Sequence, residues 1–282
     1  MYAYAHNLLI EQELRQLKEF VKELFPSPHI LQFRIPPEVQ QAELQRLKQG
    51  RRAEQFFFVV DFVNLTILEA HGIEEVGYNS RNFTFRQYLG MVPSGGMLQL
   101  LMLLGKQTFV LSDKSKALAF TKSQFIVQLP LTCADGRVLL VKRSISPWQI
   151  TEAGRISAYL SEFTLLKPYE NEPLNPRFVN TEPEVEEAFN RLVAKLFANL
   201  PVSSNPFSPK ELLILKLYTE RNAEELTAQR VAELVGITVS TAHTHHKNIL
   251  LKAKALFGES LPLKTAREVA VHMKRSGLLG PG

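Results

Sequence analysis

Helix-capping residues and one glycine divide the last quarter of the chain into short helices. Ser208 and Thr227 stand at N-cap positions ahead of helical patterns, and Glu211 lies at capping-box spacing from Ser208. Gly236 ends the second helix, and a third helix begins a few residues later, near Ser240. This pattern predicts an all-α unit whose second and third helices are joined by a tight turn, as in a helix-turn-helix.

Basic residues are concentrated in the same part of the chain. The net charge is +5, and residues 201–282 hold eleven Lys or Arg against seven Asp or Glu. No acidic residue lies between Glu233 and Glu259. A local basic stripe on an otherwise balanced protein indicates a polyanionic partner, and the alternative is a solvated basic face.

Three histidines cluster on the predicted third helix, where they suggest a metal, a proton relay or a contact with something negative. At ~100° per residue His243 and His245 diverge by about 160°, so these histidines cannot chelate one ion together. A pair of His243 and His246 has no nearby Cys, Asp or Glu to complete a tetrahedral set. The sequence therefore predicts scaffold and nucleic-acid roles and no metal.

The same helical spacing separates two faces of this helix. The face expected to pack on the other helices carries Ala242, His245, Ile249 and Ala253. The opposite face carries Ser240, His243, Thr244, Lys247, Leu251 and Lys254.

Strand patterns occupy the middle of the chain. FFFVVDF is rich in aromatic and β-branched residues and predicts a buried strand. Two further strand-like runs, QFIVQLPLT and RVLLVKRSIS, flank the hairpin signal Asp135-Gly136. RISAYLSEFTLL is a third candidate with less regular alternation.

Helices are predicted on both sides of this strand region. Residues 8–25 form one that ends at PSP, and PPEVQQAELQRLKQG forms another that ends on Gly50. KPYENEPLNP predicts a linker, and Thr181 with Glu184 caps an amphipathic helix over residues 181–200. Its stripe packs either on its own domain or against a second copy of the chain. The stripe consists of Val185, Phe189, Leu192, Leu196 and Leu200.

The C-terminal segments resemble a known family. FSPKELLILKLYTE, LTAQRVAELVGITVSTAHTHHKNILLKAKALF and TAREVAVHMKRSGLL are similar to LuxR-type (NarL/FixJ-like) DNA-binding domains. The resemblance implies that His243, Thr244 and Lys247 read the major groove, and that Ser240 and Thr241 contact the DNA backbone. Lys254, farther along the same face, completes the predicted DNA-binding set.

The resemblance to LuxR-type domains extends over most of the C-terminal segment, with two departures. It covers nearly all of residues 207–279, gives His245 as the histidine of the family's TVxxH pattern, and implies dimer contacts from a fourth helix. Two departures are Arg221, where the family commonly has glycine, and a first connection lengthened by RNAEEL. Region 4 of sigma factors shares much of the pattern, but no promoter-melting region precedes it here.

FFFVVDFVNLTILEAHGIEEVGYNSRNFTFRQYLGMVPSGG resembles the start of a PAS domain, with coverage of roughly residues 53–167. The resemblance implies an antiparallel sheet with flanking helices that binds a ligand or dimerises. The family's usual HPDD is PSGG here. The residues that carry the likeness are Val60, Asp61, Asn64, Leu68, Gly72, Gly77, Tyr78, Leu89, Val92 and Pro93.

No cofactor is predicted for the PAS-like region. A flavin photosensor of this family needs a cysteine in the helix after the second strand, but Cys133 lies in the predicted hairpin. A haem form needs an axial histidine on the long helix, and GGMLQLLMLLGKQ has none. That helix either lines a pocket for a small apolar ligand or is plain core.

The sequence as a whole predicts an α+β protein: a PAS-like antiparallel sheet domain with flanking helices and an all-α four-helix LuxR-type helix-turn-helix domain. The expected segments are N-terminal helices at 1–50, the PAS-like domain at 51–168, a linker with an amphipathic helix at 169–205 and the DNA-binding domain at 206–282. One cysteine, no signal pattern and no apolar run of roughly 20 residues predict a cytoplasmic protein without a membrane partner.

The expected function is transcriptional regulation by a homodimer bound to double-stranded DNA, without enzymatic activity and with RNA polymerase as a further candidate partner. Three alternatives stay open. The first is an enzyme or small-molecule carrier in residues 1–168, although no paired carboxylates, nucleophile elbow, phosphate loop or metal spacing favours it. The others are a sigma-factor-like partner of RNA polymerase and an adaptor that has lost DNA binding.

Overall fold

The chain forms two compact units in a computed structural model. The first consists of Met1–Glu172 and Arg177–Val185, and the second of Pro173–Pro176 and Glu186–Gly282. The structure describes residues 2–28, 31–93, 95–114, 124–179, 183–198, 206–220, 226–257 and 262–279.

The first unit is an α+β arrangement in which helices flank an antiparallel sheet. Its helices are α1 (Tyr2–Leu24), α2 (Pro37–Gly50), α3 (Phe85–Gly90) and α4 (Gly95–Lys114). Its strands are β1 (Gln55–Asp61), β2 (Thr66–His71), β3 (Gln124–Thr132), β4 (Val138–Ile150), β5 (Ile156–Pro168) and β6 (Arg177–Val179). No helix of the described residues is long and apolar enough to cross a membrane.

The described strands form a six-stranded antiparallel sheet in the order β2-β1-β5-β4-β3-β6. The hairpin predicted between β3 and β4 is confirmed: Gly136 has a φ of +86° and its N–H donates to the carbonyl of Cys133. β4 continues through Pro147 to Ile150, beyond the predicted run, and the pattern did not predict β6.

Both faces of β1 are buried, which is why this strand reads as an almost continuous apolar run. On one face α2 covers a cluster of Leu44, Leu47, Phe57, Val59, Trp148, Ala158 and Leu160. On the other, Phe58 lies between the rings of Phe83, Tyr88 and Phe163, with centroid distances of 5.7, 5.0 and 5.1 Å. The alternation of side chains along β1 and β5 assigns each residue to one of these two layers.

Among the residues that the structure describes, the second unit contains helices and no strand. After α5 (Pro183–Ala198), within which the boundary between the units falls, come α6 (Pro209–Leu217), α7 (Ala228–Val235), α8 (Val239–Phe257) and α9 (Ala266–Arg275). Helices α6 to α9 pack against one another. The predicted capping box of Ser208 with Glu211 and the Thr227 cap are confirmed, and Thr265 forms a further box with Glu268.

Parts of the predicted amphipathic helix fall outside the described residues, including Thr181 and Leu200. Within α5 the structure buries Phe189 and Val193 completely, and Leu192 is half-buried. The single chain therefore covers this stripe at Phe189, and Val193 is a buried neighbour of the stripe. The lengthened connection that contains Arg221 also falls outside the described residues.

His272 of α9 makes the stability of the second unit depend on pH. Its ring centroid lies 4.6 Å from that of Phe257, and burial together with the charge of Arg275 lowers the pKa of His272 to about 4. An unfolded histidine titrates near 6.5, so the unfolded chain takes up this proton first. The contribution of the neutral His272 to the stability of the second unit is therefore fully present above a pH of about 6.5. It is lost progressively as the pH falls towards 4.

From this residue alone we expect the second unit to be about 2 kcal/mol less stable at a pH of about 5 than at about 7.5. Urea unfolding of the full chain, followed by circular dichroism at both pH values, measures the difference. The variant His272→Leu, which keeps an apolar contact with Phe257, should lose this share of the pH dependence. An unchanged dependence in the variant would show that His272 is not its source.

Candidate nucleic-acid interface

The chain passes from α7 to α8 through a short turn. Gly236 adopts a left-handed conformation with a φ of +67°, and its N–H donates to the carbonyls of Ala232 and Glu233. Thr238 then caps α8, because its hydroxyl accepts from the N–H of Thr241 at 3.1 Å. The third helix therefore begins at Val239, close to the predicted start. Since L-residues rarely adopt the conformation of Gly236, the turn depends on this glycine.

The buried face of α8 is the one that helical spacing predicts. Ala242, Ile249 and Ala253 are fully buried, and Leu256 and Phe257 continue the buried surface to the end of the helix. Two of these residues are alanines, whose small side chains let the neighbouring helices approach closely. This face holds α8 in place.

The opposite face of α8 is open to solvent. Ser240, His243, Thr244 and Lys247 are exposed, and Lys254 is half-exposed. The first turn of α8 carries no acidic residue. Lys247 and Lys254 form no ion pair with any residue that the structure describes, so their ammonium groups are not neutralised locally.

Hydroxyl groups near the start of α8 are partly engaged within the helix. Thr244 donates to the carbonyl of Ser240 at 3.1 Å, and the hydroxyls of Thr238 and Thr241 lie 2.8 Å apart. Each hydroxyl still has an acceptor site or an alternative rotamer for an outside partner. The side chains of His243 and Lys247 are the long polar groups of this face.

His245 and His246 are both half-buried and lie at the two borders between the buried and the exposed face of α8. His245 is half-buried, with Nδ1 3.7 Å from Oε1 of the buried Glu211, which is too long for a hydrogen bond. His246 Nε2 lies 3.2 Å from the hydroxyl of Tyr218. Burial, and then the neighbouring His243 and His245, lowers the pKa of His246. These two histidines therefore have structural surroundings, unlike the exposed His243.

Glu211 connects the start of α6 to α8. Its carboxylate accepts from the N–H of Ser208 at 2.7 Å and from Nζ of Lys252 at 2.6 Å, and the residue is 2% exposed. Burial acts to raise the pKa of Glu211, but the hydrogen bonds from Lys252 and Ser208 outweigh it and hold the pKa below its usual value. The carboxylate is therefore charged and fixes Lys252 away from the exposed face.

Basic residues at the start of α9 add positive charge beside α8. The helical pattern of α8 does not predict that these residues belong to the site. A recess is lined in part by Lys247, Lys264 and Arg267. The Arg267 guanidinium lies over the ring of Tyr218, 5.6 Å from its centroid. Lys264 lies 17 positions after Lys247 in the sequence, so no local periodicity connects the two.

Among the residues that the structure describes, no group of three or more His, Cys, Asp or Glu side chains is arranged to hold a metal ion. The rings of His243 and His246 lie 6.2 Å apart, close to perpendicular. His243 is exposed and His246 is half-buried, so the two rings do not converge on one point.

No protein-family model matches this chain, and neither does any curated protein. Solved structures that match include a phage VqmA–DPO complex, with 15% identity and a TM-score of 0.33 over 87% of this chain and 92% of that one. A Vibrio cholera VqmA–ligand–DNA complex matches with 17% identity and a TM-score of 0.29, over 84% and 89%. A Vibrio cholerae VqmA dimer without target DNA, described among LuxR-type receptors, matches with 13% identity and a TM-score of 0.30, over 86% and 90%.

Proposed function

We propose that this protein is a sequence-specific DNA-binding transcriptional regulator whose helix α8 enters the major groove. The observation that carries the proposal is the exposed, acid-free face of α8, with Ser240, His243, Thr244 and Lys247 all open to solvent. A major groove about 12 Å wide accepts one α-helix of about 10–12 Å in diameter. The buried face of α8 supports the role, because it holds the helix with this polar surface outward.

Each polar residue of α8 has a chemical role in this proposal. Lys247 contacts a base edge or a phosphate, and His243 and Thr244 hydrogen-bond to base edges. Ser240 and Thr241 lie at the helix start, where free N–H groups and the helix dipole favour a phosphate. Lys254 lies about two turns beyond Lys247 and is assigned to the DNA backbone.

The basic residues at the start of α9 extend this surface. Lys264 is exposed and lines the same recess as Lys247. A lysine on a flexible stem suits contact with a phosphate, which positions a protein on DNA without reading its sequence. We assign Lys264 to such a contact.

The proposal also covers the first unit and the oligomeric state. The consecutive antiparallel strands β3, β4 and β5 support a PAS-like domain that senses a signal or dimerises. Two copies of the chain then present two α8 helices to adjacent half-sites.

Salt dependence tests the proposal directly. We expect the full chain to bind DNA selected from a random pool, with affinity falling steeply as salt rises, because bound phosphates release counterions. Lys264→Ala should weaken binding to all DNA sequences similarly. It should also reduce the slope of log K against log salt by about 1 for each copy of Lys264 that contacts a phosphate. Gel shifts at several salt concentrations measure both effects.

The matched control is Lys195→Ala, which removes the same charge from an exposed position on α5. Its slope and affinity should equal those of the unmodified protein. Failure to enrich any sequence from the pool, or an affinity independent of salt, contradicts the proposed function.

A further inference from the structure

The first unit contains a largely apolar cavity between its sheet and the helices α1, α3 and α4. The cavity has a volume of about 80 Å³. Its apolar lining includes Phe62, Phe85, Leu98, Leu101, Phe125 and Ile145. Two basic residues, the half-buried Lys106 and the buried Arg143, also line it.

Arg143 is held rigidly in this cavity. The residue is 9% exposed, and its Nε and Nη2 donate to Oγ of Ser161 at 3.1 and 2.9 Å. The guanidinium carbon lies 5.1 Å from the ring centroid of Tyr88 and 5.7 Å from that of Phe163. These contacts orient the planar fork and leave its charge in surroundings that are mostly apolar.

No carboxylate neutralises this charge within the part of the chain that the structure describes, because Arg143 forms no ion pair there. Tyr159 lines the same cavity, and burial raises the pKa of Tyr159 far above its usual value, so its hydroxyl stays neutral. The buried Glu13 accepts a hydrogen bond from Gln99 and lies beside Lys106. Arg143 is thus a buried cation whose described partners are uncharged.

A buried charge without a counter-charge is costly, and proteins usually supply a partner for it. Ser161 accepts from two of the five N–H groups of the guanidinium. The remaining N–H groups match the two oxygens of a carboxylate, with which arginine forms bidentate pairs. The aromatic and aliphatic walls match an apolar body attached to that carboxylate.

We propose that this cavity binds a small monocarboxylate, with its anionic oxygens on Arg143 and its apolar part among the phenylalanines. A cavity of about 150 Å³ accepts benzene, which has as many non-hydrogen atoms as butyrate, so one of about 80 Å³ suits a smaller carboxylate of roughly one to three carbons. This inference goes beyond the proposed DNA-binding function, because it rests on none of the residues of α8.

Calorimetric titration of the full chain with formate, acetate and propionate tests the proposal in the absence of DNA. We expect saturable binding of at least one carboxylate and none of the neutral amide of the same length, because the amide cannot neutralise Arg143. Tighter binding of acetate or propionate than of formate would place the apolar part against the phenylalanines. No carboxylate binding, or equal binding of a carboxylate and its amide, overturns the proposal.

Two variants separate the role of Arg143 from its contribution to folding. Arg143→Met should weaken carboxylate binding by at least ~30-fold, which is the effect of removing one partner of a buried charge pair. Lys142→Met is the matched control. Lys142 directly precedes Arg143 in β4, but its side chain lies on the opposite face of the sheet, where it lines a groove on the α2 side. The control should bind the carboxylate as the unmodified protein does.

If Arg143→Met fails to fold, Leu101→Trp provides the second variant. It fills the cavity from α4 and leaves Arg143 in place, so binding should be lost while the circular dichroism and the urea midpoint of the folded chain are retained. Retention of binding in Leu101→Trp would contradict the assigned site. Because all these measurements omit DNA, a failure here leaves the DNA-binding proposal standing, and a failure of DNA selection leaves this one standing.

Discussion

Replacing Lys247 and His243 together by alanine is expected to weaken binding of the full chain to its selected DNA by about 2–6 kcal/mol. Each good contact to a base edge contributes about 1–3 kcal/mol, and each factor of ten in affinity corresponds to about 1.4 kcal/mol. Both side chains are exposed, so the substitutions should leave the fold unchanged. Gel shifts at one fixed salt concentration measure the affinity, and circular dichroism checks the fold.

The loss should be larger for the selected sequence than for random DNA, because base contacts carry sequence information and phosphate contacts do not. Lys195→Ala again serves as the control for the loss of one charge. An affinity of the double variant equal to that of the unmodified protein would remove both residues from the interface.

Replacing Glu211 by alanine should destabilise the second unit by about 3 kcal/mol. The change removes the capping box of α6 and the hydrogen bond to Lys252, and it leaves a void at a position that is 2% exposed. Removing one partner of a buried pair costs about 3–5 kcal/mol, and the low end applies because the side chain of Lys252 is 37% exposed and can rehydrate.

Urea unfolding of the full chain resolves this effect, since the single tryptophan, Trp148, lies in the first unit and reports on that unit alone. We expect helix loss by circular dichroism at lower urea while the fluorescence transition of Trp148 stays in place. Glu233→Ala removes an equal charge from the exposed pair with Arg230 and should change stability by less than about 0.5 kcal/mol.

Because the pKa of Glu211 is depressed on folding, its contribution is present above a pH of about 4.5 and is lost as the pH falls through the folded value. The Glu211→Ala variant should therefore be less sensitive to acid in this range than the unmodified protein. An equal loss of stability in acid would show that the Glu211 carboxylate does not connect α6 to α8. A decrease in the free energy of unfolding below about 1 kcal/mol would show the same.

Helical periodicity alone identified the two faces of α8. Ala242, Ile249 and Ala253 are spaced by seven and four residues, which returns each to the same side of a helix, and all three are buried. Caps at Ser208 and Thr227 and the break at Gly236 depend on side chains within a few residues of each helix end. Helix ends that depend on such nearby residues can be predicted from the sequence.

Contacts between distant segments could not be predicted in this way. Lys252 meets Glu211 across 41 positions, and Arg143 is placed between Tyr88 and Phe163 by the pairing of β4 with β5 and the packing of α3. The lining of one recess by Lys247 and Lys264 depends on the packing of α9 against α8. The short strand β6 has only three residues, too few for a periodic pattern.

The separation of α8 into a buried and an exposed side has a consequence for how this protein can diverge. Positions 240, 243, 244 and 247 are solvent-exposed and lie outside the core of the unit, whereas Ala242, Ile249 and Ala253 are enclosed by it. Under the proposed function, exchanges at the outer positions change which DNA sequence is bound without lowering the stability of the unit. Larger side chains at the two enclosed alanines would instead destabilise the helix packing, and with it the binding of every DNA sequence.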